Sequence, residues 1–290
     1  MAARLGRFTD AAAAARYREA YDALAAHWPA EADELHVPTA FGDTFVRRAP
    51  GGDGPPLVLL HGLEGTSLSW APFLEELTSG RTVLAPDTLG TAGRSTQTAP
   101  IRTEADRARW LDETLDGLGE DRVHLLGYSN GCASVLAALI HRPQRIAGAV
   151  LIEPMLARPP LASLARFMVA GAIPTHRRMD RMSRWLTPGV DPGPEELALA
   201  TASRRSYRTA LPWPAPPTPE ELAGIRAPVL VQMGQESVLS NPDAAEELAR
   251  RHLPRASVHR YDGLGHGLLH QAPQRVLPDV QEHLRRADAD

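Results

Sequence analysis

Short apolar runs alternate along this chain with longer amphipathic stretches. The clearest runs are Pro56–Leu60, Val123–Leu126, Gly148–Ile152 and Pro228–Gln232. They are nearly continuous rather than alternating, as expected of strands covered on both faces. Shorter strand-like segments are Leu35–Thr39, Thr44–Arg48, Arg81–Ala85 and Ser257–Tyr261, with Gly42-Asp43 as the turn between the first two. Between these lie helical patterns. The first is capped by Thr9 or Asp10 and runs from about residue 10 to 27, where Trp28-Pro29 stops it. Others are Ala71–Leu77, Thr103–Leu118 with Thr103 as its cap, Gly131–His141 ended by Pro143, Asp243–His252, and Ala272 to about Arg286. Such strand–helix–strand repetition predicts an α/β fold with a mostly parallel central sheet and helices on both faces.

The alternation breaks after the sixth of these strands. From Pro154 to about Pro219 the chain accumulates Met, Pro and Arg, and Leu211–Pro219 is Pro-rich. We therefore expect a core of residues 1–153 and 220–290 interrupted by a helical insertion at 154–219, with the Pro-rich tract as its return linker. Between Pro154 and Glu220 nine arginines face five acids, although the whole chain has a formal net charge of -4. A solvated helical face accounts for this surplus. So does a basic rim that attracts an anionic substrate or an acidic acyl carrier protein.

Composition narrows the classes. With 290 residues, 43% hydrophobic and 23% charged, the chain is an ordinary globular protein rather than a disordered one. A pI near 6.3 gives no basic footprint for nucleic acid. Every cationic side chain besides His is Arg, which excludes a lysine Schiff base. The single cysteine, Cys132, excludes a disulfide framework and a cysteine zinc site. There is no H-E-x-x-H, and the glycines at 51–54 precede a strand instead of following one, the wrong context for a dinucleotide loop. No cofactor is expected. No apolar stretch approaches a membrane span and the N-terminus lacks a signal-peptide core, so a cytoplasmic protein is expected.

The most specific chemical signal is Gly127-Tyr128-Ser129-Asn130-Gly131. This G-x-S-x-G lies between a strand and a helix, the context in which a tight turn projects a serine above a sheet. A serine hydroxyl needs a base to become a nucleophile. His266, in Gly263-Leu-Gly-His-Gly267 after the last strand, is the candidate, with His270 and His259 as fallbacks. An oxyanion needs fixed donors. His61-Gly62-Leu63 directly follows the strand ending at Leu60, so the backbone N–H groups of Leu63 and Asn130 are expected to converge near Ser129, with His61 supporting that loop.

These features together resemble the α/β-hydrolase fold family, and within it the esterase-like serine hydrolases with an N-terminal helix. The resemblance covers Leu60-His-Gly-Leu63 with Trp70, Pro86-Asp-Thr-Leu-Gly-Thr-Ala-Gly-Arg-Ser95, the serine turn, the histidine loop, and an insertion where that family carries its lid. One part departs from it. The family's usual Gly-x-x-Asp after the next strand is here Gly234-Gln-Glu-Ser237, so Ser237 holds the acid's slot. Glu153, at the end of the sixth strand, is the first candidate acid, because some members of the family place theirs there. Glu236 is the alternative, and a site without any acid is the third case. Asp87 and Asp262 read as structural.

Two functions follow. The first is a serine hydrolase that cleaves a small-molecule ester, thioester or lactone through an acyl-enzyme on Ser129, released to water or to an internal nucleophile. The second is a hydrolase-like scaffold with a cyclase, lyase or ligand-binding role, suggested by the displaced acid.

Overall fold

The structure is a computed structural model that describes residues 5–289 apart from residues 30 and 173. In chain order it contains β1 (Arg7–Phe8), α1 (Ala11–Ala25), β2 (Asp33–Thr39), β3 (Gly42–Leu60), α2 (Leu74–Leu77), β4 (Arg81–Pro86), β5 (Thr96–Gln97), α3 (Glu104–Leu118), β6 (Val123–Tyr128), α4 (Gly131–His141) and β7 (Ile146–Ile152). Then come α5 (Leu161–Ala172), α6 (His176–Leu186), α7 (Pro194–Ser206), β8 (Tyr207–Arg208), α8 (Pro219–Gly224), β9 (Val229–Gly234), α9 (Pro242–His252), β10 (Ala256–Tyr261), α10 (Leu268–Gln271) and α11 (Pro273–Ala289).

The main sheet has eight strands in the order β10-β9-β7-β6-β3-β2, with β4 and β5 also paired to β3. Pairing is parallel from β3 through β6, β7 and β9 to β10, and antiparallel between β2 and β3. This is the expected α/β architecture. Side chains of successive residues enter opposite cores. Val58, Leu60, Leu125 and Leu151 face the cluster shared with α3 and α4, while Leu57, Leu59, Leu126 and Ile152 face the one shared with α1 and α11. Burial of both faces is why these strands read as unbroken apolar runs.

The two strands expected at Thr44–Arg48 and Pro56–Leu60 are arms of the single strand β3. Its first arm pairs antiparallel with β2 and with β4 (Val46↔Pro86 to Ala49↔Val83). The register then shifts beside Arg81 at Asp53 and Gly54, and Leu57 and Val58 lie against Val83 and Leu84. Gly51 approaches the Arg81 carbonyl so closely that a Cβ would sit 2.0 Å from its oxygen. The glycine run is therefore a bend within a strand, not a loop between two. The turn before β3 falls at Ala40-Phe41, since Thr39 pairs with Gly42. The helix expected at Ala71–Leu77 is a 3-10 turn, Ser67–Phe73, followed by the short α2. Pro72 lacks the N–H that an uninterrupted α-helix would use there.

Caps match the local chemistry. Asp10 accepts the Ala13 N–H at 2.7 Å to open α1, and Thr103 and Asp106 form a reciprocal capping box on α3. Residues 154–219 contribute α5, α6 and α7, and α7 packs on α1 while β8 pairs with β1. Among the described residues no helix is long and apolar enough to cross a membrane.

Candidate active site

Two strand ends build the centre of the site. Ser129 follows β6 with φ 51, and Glu153 follows β7 with φ 58, both in the left-handed region that side chains avoid. Each is pinned by its neighbour in the sheet: Ser129 N–H donates to the Ile152 carbonyl and Glu153 N–H to the Gln232 carbonyl, both at 2.8 Å. The sharp turn at Ser129 also requires its glycines. A Cβ on Gly131 would lie 1.9 Å from the Leu60 oxygen, and one on Gly127 would lie 2.7 Å from the Cys132 nitrogen. Close passage of α4 over the sheet is thus possible only without side chains there.

His266 arrives from the loop after β10. Its Nε2 is 2.9 Å from Ser129 Oγ and its Nδ1 is 2.8 Å from Glu153 Oε2. An ionised carboxylate can only accept, so Nδ1 carries the proton and Nε2 is left to accept from the serine hydroxyl. Glu153 is fully buried and has two further donors: Gly234 N–H to Oε1 at 2.6 Å and the Ser237 hydroxyl to Oε2 at 2.5 Å. Three donors compensate the cost of burying this charge. The histidine loop is held by Tyr128, whose hydroxyl donates to the His266 carbonyl at 2.8 Å. Burial raises the Tyr128 phenol well above its ordinary range, so it stays a donor.

Glu236, the alternative acid, does not reach His266. Its side chain is exposed, without a hydrogen bond or ion pair among the described residues; its backbone N–H binds the Leu264 carbonyl at 2.8 Å. The turn closed by Ser237 N–H on the Gly234 carbonyl directs Glu236 outward and Ser237 inward. The Glu153 contact places a carboxylate against His266, unlike the case of a histidine oriented by a neutral group. The fallback histidines lie elsewhere. His259 pairs with Asp279 at 2.9 Å, and His270 packs against the Phe73 and Tyr128 rings, where burial lowers its pKa.

The N–H groups of Leu63 and Asn130 have no hydrogen-bond partner among the described residues, and both residues line one cavity of about 150 Å3 with Ser129 and His266. The loop carrying Leu63 is fixed by His61. Its Nδ1 donates to the Gly62 carbonyl at 2.8 Å and its Nε2 accepts the Thr88 N–H at 2.9 Å, the pattern of a neutral ring, in keeping with a pKa lowered by burial. Asp87 is structural: its buried carboxylate accepts from Ser67 N–H, Arg94 N–H and the Tyr21 hydroxyl. Apolar side chains of residues 154–219, among them Leu164, Phe167, Met182 and Leu186, cover the cavity.

Sequence reasoning missed three contacts. Ser237 reads from the sequence as the loss of an acid, whereas its hydroxyl donates to the Glu153 carboxylate that contacts His266; its place in the family's acid slot is the available signal. The Tyr128 bond to the His266 carbonyl, and an ion pair between Glu64 and Arg204 of α7, had no local signature.

A parallel sheet carrying a left-handed serine between strand and helix, with a histidine and a carboxylate in line behind it, defines a hydrolase of the serine type. The chain belongs to the alpha/beta hydrolase family, whose model matches residues 57–279. Carboxylesterase YbfK of Bacillus subtilis is similar to it, with 28% identity over 281 residues and 93% of each chain covered. The crystal structure of that protein, CesB (YbfK), superposes with a TM-score of 0.84 at 27% identity, covering 94% of this chain and 98% of that one. Naproxen esterase (carboxylesterase NP) from the same organism superposes with a TM-score of 0.85 at 25% identity, covering 92% of this chain and 96% of that one.

Proposed function

We propose that this protein is a serine esterase that hydrolyses small carboxylic esters through an acyl-enzyme on Ser129. The observation that carries the reading is the continuous line Ser129 Oγ–His266 Nε2 and His266 Nδ1–Glu153 Oε2, at 2.9 and 2.8 Å. The carboxylesterases among the similar proteins support the ester as substrate class.

The geometry supports the following steps. Ser129 Oγ attacks the ester carbonyl while its proton passes to His266 Nε2, and the Glu153 carboxylate stabilises the resulting imidazolium. The carbonyl oxygen, now an oxyanion, faces the N–H groups of Leu63 and Asn130. Collapse expels the alcohol, which leaves with the proton from Nε2. Water then attacks the acyl-enzyme and gives its proton to His266; Ser129 leaves as the acid product forms and recovers that proton. Residues 154–219 act as the lid that excludes bulk water and shapes the acyl pocket. The arginine-rich character of this segment suits an anionic small molecule better than a carrier protein, because the cavity that Ser129 lines measures only about 150 Å3.

The non-hydrolytic reading rests on Ser237 in the acid slot. With Glu153 against His266, that observation no longer favours it. The test is turnover of a short p-nitrophenyl ester together with labelling by a fluorophosphonate. Both are expected to vanish in Ser129→Ala; a variant that still turned over the ester or still took up the label would overturn the assignment.

A further inference from the structure

Next to the serine cavity lies a much larger one of about 990 Å3. The two share a wall formed by Leu63, Glu64, Phe167 and Trp213. The larger cavity has an unbalanced set of polar groups: three arginines, Arg7, Arg204 and Arg208, against one carboxylate, Glu64. That carboxylate is already engaged by Arg204.

Arg7 and Arg208 are directly opposite each other in the β1–β8 ribbon, so both side chains leave the same face of it. Neither has an acidic partner among the described residues, and both are exposed to solvent at the cavity. Like charges placed directly opposite destabilise a strand pair, and this ribbon is only two residues long on each side. Deeper in the same cavity, Gln97 is 7% exposed. Its Oε1 accepts the Gly6 N–H at 2.7 Å, which anchors the backbone next to Arg7. Unpaired cations at the mouth are complementary to an anionic group, and the anion that an ester substrate most directly carries is a carboxylate. The apolar and aromatic wall toward Ser129 is suited to the carbon chain that links such a carboxylate to an ester.

We propose that this cavity receives a carboxylate carried by the substrate, so that the protein prefers esters bearing a free carboxylate remote from the scissile bond. The proposal rests on the reading of Ser129 as the nucleophile. Arg7 and Arg208 attract and hold the carboxylate. Guanidinium groups suit this task because they present paired donors in the plane a carboxylate requires.

The experiment compares matched acidic and neutral esters. On the acyl side these are the mono-p-nitrophenyl ester of adipic acid and p-nitrophenyl hexanoate; on the alcohol side, acetoxyhexanoate and hexyl acetate. Each is assayed with the wild type, Ser129→Ala and the double variant Arg7→Gln/Arg208→Gln. Both arginines are exposed, and neither belongs to the reacting group. For at least one acidic ester we expect the double variant to raise KM about tenfold, the order of a charge-assisted hydrogen bond, with kcat and the neutral ester unchanged. The wild-type preference should also shrink as salt rises, because the arginines are exposed. If the double variant leaves the acidic-to-neutral ratio of kcat/KM unchanged for both pairs, the cavity is not a carboxylate site. Turnover of the neutral esters by Ser129→Ala would instead overturn the nucleophile assignment, so the two failures are distinguishable.

Discussion

Ser129 and Glu153 occupy equivalent positions on adjacent parallel strands. Each is the first residue past its strand, each has a left-handed backbone (φ 51 and 58), and each donates its N–H to the next strand at 2.8 Å. The sheet thereby aims two side chains at one point above its edge and holds both in a conformation that costs about 1–3 kcal/mol for a residue other than glycine. Packing of the surrounding strands maintains that strain, and it separates function from stability at these positions.

Ser129→Gly and Ser129→Ala both remove the hydroxyl and should both be inactive. Their stabilities should differ in the opposite order from most sites. Glycine accepts φ 51 freely and alanine does not, so the glycine variant is expected to be more stable by about 1 kcal/mol. Urea unfolding of the two variants measures this; an alanine variant at least as stable would mean that the turn carries no strain.

Glu153→Gln should lower kcat by on the order of 10^3–10^4-fold, because a neutral amide cannot stabilise the imidazolium and can present the wrong group to His266 Nδ1. Glu236→Gln, at an exposed position off the line, should leave kcat within about twofold of wild type. Equal losses in the two variants would refute the assignment of the acid.

The acid should be transferable. Ser237 Oγ and His266 Nδ1 both contact the same oxygen of Glu153, at 2.5 and 2.8 Å. A carboxylate on residue 237 therefore starts close to the histidine. Glu153→Gln/Ser237→Asp is expected to recover about tenfold or more of the kcat lost in Glu153→Gln. Ser237→Asp alone should be slower than wild type, since two carboxylates would then compete for one site and one of them would hold a proton. Steady-state kinetics of the four proteins decides it; a double variant no faster than Glu153→Gln would mean that residue 237 cannot reach the ring.

Gly131→Ala should destabilise the fold by about 2–3 kcal/mol, because the added carbon would meet the Leu60 carbonyl oxygen at 1.9 Å, where only backbone movement could relieve it. Thermal unfolding reports the loss. An unchanged melting temperature would show that α4 can move off the sheet at little cost.

Stability should fall as the solution is acidified, in part through His283. Burial, with His124 alongside, pushes its imidazole down from 6.5 to about 4. The unfolded chain therefore binds a proton between those values that the folded one refuses. The unfolding free energy contributed by this group is fully present above pH 6.5 and falls by at most about 1.4 kcal/mol per pH unit down to pH 4. His283→Leu should make the decline between pH 6.5 and 4.5 shallower in urea titrations; parallel declines would exclude His283 as a contributor.

The sequence alone determined the alternation of the main strands and helices, the helix cap at Thr103 and the choice of Thr9 or Asp10 for the first helix, and the strand–turn–helix setting of Ser129. These depend on residues close together in the chain: burial on both faces makes a strand read as an apolar run, and a cap acts within one helical turn. It also nominated His266 and Leu63, because glycines flank the one and precede the other beside strand ends. What it left open was which acid meets the histidine. Glu153 and Ser237 are 84 residues apart and His266 lies 113 residues beyond Glu153. Only the side-by-side placement of β7, β9 and β10 in one sheet brings them together. The bend within β3 was equally illegible, since a glycine run reads as a loop until a second strand is seen to pass against it. So was the cavity that holds Arg7 opposite Arg208, which exists because the chain's beginning pairs with the strand after α7. Local pattern fixes elements; contacts across the sheet fix the site, because hydrogen bonds and charge pairs act over a few ångströms of space and not over sequence.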